Sequence, residues 1–414
     1  MFSNKHPFLT ALSLALGSAI ALGLARFSYG LLLPVMREDL DWSYLVAGTM
    51  NTANALGYFI GALSSPVMMR RMSVHQFFIS SAIITGIFLF LSGCTDQTSL
   101  LFIYRVIAGI ASAWIFVAGG VLISQLGTIH ANKSGLMLGI FYAGPGLGIV
   151  LSSAILPFFN DLGVKISWDH SWQLSWYALG ILCLIFTLIL IRPIRSIPAI
   201  PPKPSGDSGT PLKSYVPVLA GYFMFGVGYI GYMTFVVALL KQLGLSNTTL
   251  NVFYAILGFS VMASSRLWAQ MLDRFKGGQS LAILNTLLGI ASLIPALIAI
   301  YEVPLSNLIL LSIFGSGILF GAVFLSAVAS TTAFVKHNMP ASDWVGGITA
   351  FTSIFAAGQI IGPTIAGWIS DGQGGLARGL LFSGLALLLG GLIATRQKPL
   401  SNSSKNKPFI SPMR

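Results

Sequence analysis

Apolar and polar positions divide this chain into twelve long apolar tracts joined by short polar segments, at about 8–35, 43–68, 76–94, 99–125, 134–158, 172–191, 214–240, 248–271, 279–300, 305–334, 344–369 and 377–394. The tracts are continuous rather than alternating, so they predict helices and not barrel strands. Each is long enough for the roughly 20 residues that carry a helix across a bilayer. One joint is long: 192–213, RPIRSIPAIPPKPSGDSGTPLK, whose prolines and glycines argue against a folded domain. It leaves six tracts on either side. The stretch 21–43, ALGLARFSYGLLLPVMREDLDWS, returns in related form at 224–246, MFGVGYIGYMTFVVALLKQLGLS. Setting Gly23 on Gly226 places Arg26 on Tyr229, Tyr29 on Tyr232 and Ser43 on Ser246, a constant offset of 203. The expected organisation is a bundle over 1–191, a linker over 192–213, a second bundle over 214–395 and a polar tail over 396–414. Six spans return the chain to its starting side, so the halves are parallel repeats about an axis along the membrane normal.

Composition agrees. Of 414 residues 55% are hydrophobic and 8% charged, against about 25% charged in soluble domains. The formal charge of +12 is no nucleic-acid signature, because the basic residues gather in alternate joints. Sixteen of the 23 lie in one set of joints and termini, four (Arg37, Lys165, Lys241, Arg378) in the other, and Arg26, Arg105 and Arg266 within tracts. The basic set marks the cytoplasmic side, so both termini are expected there, in a bacterial inner membrane. The run from Pro7 lacks a small-residue cleavage site and reads as a retained span. Cys94 and Cys183 belong to different tracts and predict no disulfide framework. Trp42, Trp168, Trp172, Trp176, Trp268, Trp344 and Trp368 lie near tract ends, as an interfacial belt does, and the i, i+4, i+8 set 168, 172, 176 reads as an anchoring stripe. Trp114 alone lies well inside a tract.

Small residues recur at matching places. The fifth tract reads GLMLGIFYAGPGLG, with Gly144, Pro145 and Gly148, and the eleventh GQIIGPTIAG, with Gly362, Pro363 and Gly367. Proline kinks a helix, and glycines four apart let a neighbouring backbone approach. For any one pair generic packing is the plainer account. Two glycine–proline kinks at the same ordinal place point to gating or half-to-half contact.

With these features the chain resembles the major facilitator superfamily over nearly its whole length. Gly144–Pro145 resembles the family's fifth-helix motif. LFIYRVIAGIASA, 101–113, resembles the fourth-helix pattern with its arginine at Arg105. AQMLDRFKGG, 269–278, resembles the cytoplasmic loop motif, with Asp273 and Arg274 as the charged pair of a conformational latch. The loop between the second and third tracts, GALSSPVMMRR, departs from it, with Ser65 at the aspartate position. GLARFSYGLLLPVMREDL resembles the YbfB/YjiJ branch. The resemblance implies an all-α membrane protein of twelve helices in two pseudo-symmetric six-helix bundles, working by alternating access around a cavity lined by the first, fourth, seventh and tenth spans.

Arg26 and Arg105 are charges inside apolar tracts. A charge at the centre of a span costs at least about 2.5–3.5 kcal/mol on insertion scales, so each needs a partner or a function. For Arg26 the choices are substrate binding, pairing with Asp39 or Asp41, and snorkelling; for Arg105, organising nearby backbone or binding. In the seventh tract Tyr222, Phe225, Tyr229 and Tyr232 share one helical face, offering hydroxyls and rings to a solute or simply packing. The expected substrate site is Arg26, Tyr29, Arg105, Trp114, Tyr222, Tyr229 and Tyr232; the expected gating set is Gly144, Pro145, Gly148, Gly362, Pro363, Gly367, Asp273 and Arg274. All eleven carboxylates fall in joints or at tract ends, so no buried acid relay is visible. No metal or cofactor motif and no nucleophile–base set is present, so the protein reads as no enzyme. The expected function is transport of a small organic anion or zwitterion by a monomer, with a coupling proton, an exchanged anion or neither. Efflux of amphipathic drugs and a non-transporting receptor or scaffold are the alternatives.

Overall fold

A computed structural model of the chain describes residues 6–130, 133–198, 210–340 and 343–400. Half of the expected linker, 199–209, the first five residues and the tail beyond 400 lie outside these. The described residues form helices joined by short turns. In the first half these are α1 (Pro7–Ser18), a π-helical segment (Ala19–Phe27), α2 (Tyr29–Asp39), α3 (Tyr44–Arg71), α4 (Val74–Ser92), α5 (Thr98–Ile129), α6 (Ser134–Lys165) and α7 (Trp172–Arg195). In the second they are α8 (Val216–Gln242), α9 (Asn247–Leu267), α10 (Ala269–Arg274), α11 (Gln279–Ile300), α12 (Asn307–Asn338), α13 (Trp344–Asp371) and α14 (Gly375–Ala394).

Ten helical stretches among the described residues are long and apolar enough to cross a membrane. Two further helices, α3 with 28 residues and α9 with 21, are less apolar. Their polar groups face other helices: Asn51 donates to Thr234 Oγ1 at 2.6 Å, Thr52 to the Ile360 carbonyl at 2.9 Å, and Ser264 and Ser326 share a hydrogen bond. Polar residues in such helices join neighbours rather than face lipid, which is why hydropathy alone passes over them.

The 203-residue repeat is visible in backbone detail. After α2, Leu40 N–H bonds the Met36 carbonyl, Trp42 N–H bonds that of Arg37, and Asp41 has φ 50°. After α8, Leu243 N–H bonds the Leu239 carbonyl, Leu245 N–H bonds that of Leu240, and Gly244 has φ 88°. This is one helix-ending motif, with a left-handed residue after the last turn, written twice. Each turn leads into a helix capped by a serine: Ser43 accepts from Val46 N–H and Ser246 from Thr249 N–H.

Within the first half α3 and α4 pack on α5, α4 on α7, and α6 on the π-helical segment; within the second α8 packs on α13 and α14, and α9 on α12. The halves meet through α6 against α9, α3 against α13, and α2 against α8. Glycine makes the closest of these approaches possible. A Cβ on Gly23 would lie 2.5 Å from the Gly148 Cα, and one on its repeat counterpart Gly226 would lie 2.6 Å from the Phe355 carbonyl and 3.2 Å from the Gly358 Cα. The kinked helices α6 and α13 are thus seated in the same way on the first helix of their own half.

The tryptophan stripe does not anchor in the interface as its spacing predicts. Trp172 and Trp176 are fully buried; Trp172 Nε1 donates to Asp39 Oδ2 at 2.6 Å, and Trp176 Nε1 points at Met36 Sδ at 3.4 Å. Their shared helical face lies against α2, not lipid. Only Trp168 of the three is exposed, bonded to Gln173.

Candidate functional site

Arg26 stands near the end of the π-helical segment, where Ser28 N–H bonds the carbonyl of Gly23, five residues back. A wider turn leaves carbonyls off the usual ladder, and such turns are frequent at functional sites. Two side chains from other helices take up these carbonyls. Arg105 Nη1 donates to Ala25 O at 2.7 Å, and Tyr254 Oη donates to Phe27 O at 2.6 Å across the two halves.

Arg105 therefore has a use within the protein. Besides Ala25 it directs Nε towards Met50 O at 3.5 Å, its guanidinium lies 5.0 Å from the Tyr29 ring and 5.6 Å from that of Trp176, and Nη2 alone is buried without a partner. Arg26 is different. It is 2% exposed, and its Nε and Nη2 are buried with no hydrogen-bond partner. No carboxylate pairs with it; the ion pairs among the described residues are Asp39–His170, Asp96–His170 and Glu38–Lys241, all at tract ends. Its neighbours are aromatic apart from the Arg105 guanidinium, a like charge within electrostatic reach. The guanidinium lies 5.6 Å from the Tyr58 ring, and Tyr229 is within its electrostatic reach. Tyr142 and Tyr222 complete the group, each in range of Tyr58.

Tyr229 donates to Gln359 Oε1 at 3.0 Å, and Gln359 Nε2 is buried without an acceptor. The unmatched groups beside Tyr229 are thus N–H donors, from Arg26 in one half and Gln359 in the other. A buried donor with no acceptor is unfavourable by about 1–3 kcal/mol, more when charged, and an anion between the halves would relieve both. Tyr58, Tyr142 and Phe355 are only partly buried.

The other expected residues are placed elsewhere. Tyr29 Oη donates to Ala47 O at 2.8 Å, Trp114 Nε1 to Ser64 Oγ at 2.9 Å, and Tyr232 Oη meets Ser316 Oγ at 3.2 Å. Of the seven, Arg26, Tyr222 and Tyr229 come together. Tyr58, Tyr142 and Gln359 are additions. Tyr58 lies one turn beyond Asn54 and two beyond Asn51, on the face that polar spacing marks; Gln359 is the one amide in the eleventh tract.

The halves are closed at the end that carries Glu38, Asp39 and Asp371. Asp371 Oδ1 and Oδ2 accept from Tyr44 N–H at 2.6 Å and Leu45 N–H at 2.9 Å, so a carboxylate of one half caps a helix of the other. Lys241 donates to both oxygens of Glu38 at 2.8 Å, and Gln242 to Tyr44 Oη at 2.6 Å. Arg37 covers the Tyr44 ring at 3.9 Å. Of the expected gating residues, Gly144 abuts Ala15 and Ser18, Gly148 abuts Gly23, and Gly362 abuts Val227, each within its half; Pro363 and Gly367 meet Gly48 and Tyr44 of the other half. Pro145 lies inside α6 beside Gly23. Asp273 and Arg274 are exposed, and neither enters an ion pair among the described residues; Arg274 lies over the Phe275 ring at 5.7 Å.

Comparison with known proteins follows the same lines. Residues 18–395 match the family described as uncharacterised MFS-type transporter YbfB. A "Putative tartrate transporter" of Agrobacterium vitis is 23% identical over 402 residues, covering 89% of this chain and 88% of that one. A chloramphenicol resistance protein of Streptomyces lividans is 22% identical over 387 residues, covering 89% and 92%. Among solved structures, a bacterial homologue of the human lysosomal transporter Spinster, inward-facing and occupied, superposes with a TM-score of 0.70 at 15% identity over 95% of this chain and 97% of that one. A mutant of the nucleoside transporter NupG gives 0.69 at 14% over 93% and 99%. The chain belongs to the YbfB-type family of major facilitator transporters, is a multi-pass membrane protein, and is not an enzyme.

Proposed function

We propose that this major facilitator transporter carries a small organic anion or zwitterion, with Arg26 as the seat of its negative group. The observation that carries the reading is the buried Arg26 guanidinium with two unmatched nitrogens and no carboxylate partner. A bound carboxylate would accept charge-assisted hydrogen bonds from it, and Gln359 Nε2 supplies a neutral donor from the facing half. In this reading α1 with α2, α3 to α7, α8, α9 with α10 and α11 to α14 are twelve spans in two six-helix bundles. The arginine-rich end is cytoplasmic, with both termini there, in a bacterial inner membrane. The structure then stands for a state closed towards the outside, and rocking the halves about α6 and α13 would open the acidic end. The "Putative tartrate transporter" relative is named for a carboxylate, which agrees with an anion seat.

The test is flux in proteoliposomes. Candidate anions and zwitterions are screened on the wild-type protein, and Arg26→Ala is then measured on whichever is carried. The expected result is loss of most flux with normal insertion and monodisperse protein; unchanged flux removes Arg26 from binding. A second reading, efflux of amphipathic drugs, draws on the aromatic surface beside Tyr229. Resistance profiling of an overexpressing strain separates the two, since efflux of neutral drugs would survive Arg26→Gln.

A further inference from the structure

The second half presents an aromatic wall to the Arg26 group. Tyr222 and Phe225 stack at 14°, Phe225 and Tyr229 at 17°, Phe225 and Phe355 at 11°, Tyr222 and Phe355 at 19°, Tyr229 and Phe355 at 19°, and Tyr229 and Phe324 at 20°. Phe320 continues it at 17° to Phe324, and Tyr232 at 16° to Phe320. These seven rings come from α8, α12 and α13. Among the described residues every aromatic pair within 20° of parallel belongs to this wall. Inside the wall Phe225 and Phe324 tilt by 33°; elsewhere the pairs are tilted or edge-on, as with Phe88 and Tyr104 at 62° or Phe253 and Phe314 at 82°.

Packing alone does not select one ring orientation across three helices, because edge-on and offset contacts are both favourable. Among the described residues nothing in the first half mirrors the wall, although the two halves repeat in backbone. Its counterpart positions there carry Arg26 in place of Tyr229 and Tyr29 in place of Tyr232. The wall is a feature of one half, placed opposite the unmatched guanidinium of the other. Phe355 is its partly exposed member, and Tyr229 joins it to the polar group through Gln359.

We infer that the solute is a carboxylate borne on a flat aromatic ring, its carboxylate held by Arg26 and Gln359 and its ring lying parallel to Phe355 and Tyr229. This rests on the reading of Arg26 as an anion seat. A flat ring can stack on several co-aligned rings at once, whereas a puckered aliphatic ring of equal size meets them at fewer points. Discrimination of about tenfold, equivalent to about 1.4 kcal/mol, is the expected size.

The experiment is titration calorimetry on the purified full-length protein in detergent with five probes. Benzoate and 2-naphthoate carry ring and charge, cyclohexanecarboxylate charge without a flat ring, benzamide the ring without charge, and succinate charge without any ring. The expected result is that the two aromatic acids bind about tenfold or more tighter than cyclohexanecarboxylate and succinate, with benzamide weaker still. Phe355→Leu, a substitution that keeps the helix surface apolar, should bring benzoate down to the level of cyclohexanecarboxylate while leaving the latter unchanged. Equal binding of aromatic and aliphatic acids overturns the ring preference and leaves the anion seat standing. Binding of succinate alone does the same. Benzamide binding as tightly as benzoate, or benzoate binding that survives Arg26→Gln unchanged, overturns both. Failure of all five probes to bind overturns the aromatic class, and the wider flux screen then decides the seat separately.

Discussion

Glu38 and Lys241 stand 203 positions apart, the spacing of the internal repeat, and they bond each other: Lys241 Nζ lies 2.8 Å from both carboxylate oxygens. Two equivalent residues that touch lie at the axis relating their halves. Gly30 and Met233 have the same relationship further in, where a Cβ on Gly30 would lie 2.5 Å from the Met233 carbonyl. The axis is thus marked twice on α2 and α8. Since the paired positions have opposite charges, the repeat has diverged here into a contact that joins the halves at the acidic end.

The Glu38–Lys241 pair is exposed to solvent, with 59% and 34% of the side chains accessible. Such pairs contribute about 0.2–1 kcal/mol. Lys241→Glu should therefore move the balance between closed and open acidic ends by no more than about fivefold, and the swap Glu38→Lys with Lys241→Glu should restore it. Spin-label distances across the acidic end would read this.

Asp371 makes the stronger contact between the halves. It caps two N–H groups of α3 from the opposite half, and loss of a cap costs about 0.5–2 kcal/mol. Asp371→Ala should raise the open population roughly tenfold, well beyond the effect of Lys241→Glu. The readout is thiol labelling of Thr52→Cys in a Cys94→Ser background, because Cys94 is exposed and Thr52 lies under the closure, against Ile360 and Thr364. Labelling no faster than in the parent protein would remove Asp371 from gating.

The two buried arginines should respond in opposite ways. Arg105 binds the Ala25 carbonyl, so Arg105→Leu leaves a buried acceptor unmatched and should lower the melting temperature and the yield of folded protein. Arg26 has unmatched nitrogens, so Arg26→Leu removes a buried unpaired charge and should raise the melting temperature while abolishing anion transport. Differential scanning fluorimetry beside flux distinguishes these. A fall in stability for Arg26→Leu as large as for Arg105→Leu would make Arg26 a structural residue.

The glycine contacts of α6 should tolerate no added volume. Gly148→Leu would force the π-helical segment and α6 apart, at a cost of about 1–3 kcal/mol for overpacking. The expected outcome is protein that inserts but has reduced thermal stability and little flux. Gly135, with open space around the position of a Cβ, is the control: Gly135→Ala should behave as wild type.

Relaxing the polar link between wall and seat should weaken binding without unfolding the protein. Tyr229→Phe frees Gln359 Oε1 and leaves the ring stack in place. A rise in KM of several-fold with kcat little changed is expected, read from initial-rate uptake.

The helices, their order, the repeat and the anomaly of Arg26 were legible in the chain because each rests on local spacing: apolar tract length, a 203-residue offset, a charge inside a tract. The matching helix ends at Asp41 and Gly244 and the serine caps follow from the same local chemistry. What the tertiary structure alone decided was the partner of each polar group. Arg26 and Arg105 look alike as single charges in apolar tracts, yet Arg105 meets a displaced carbonyl while Arg26 meets rings and no acceptor, a difference made by helices tens to hundreds of residues away. Trp172 and Trp176 read as anchors by position and turn inward because their face meets Asp39 and Met36. The alignment of Tyr222, Phe225, Tyr229 and Phe355 needs the relative placement of α8 and α13, and no spacing within either helix contains it.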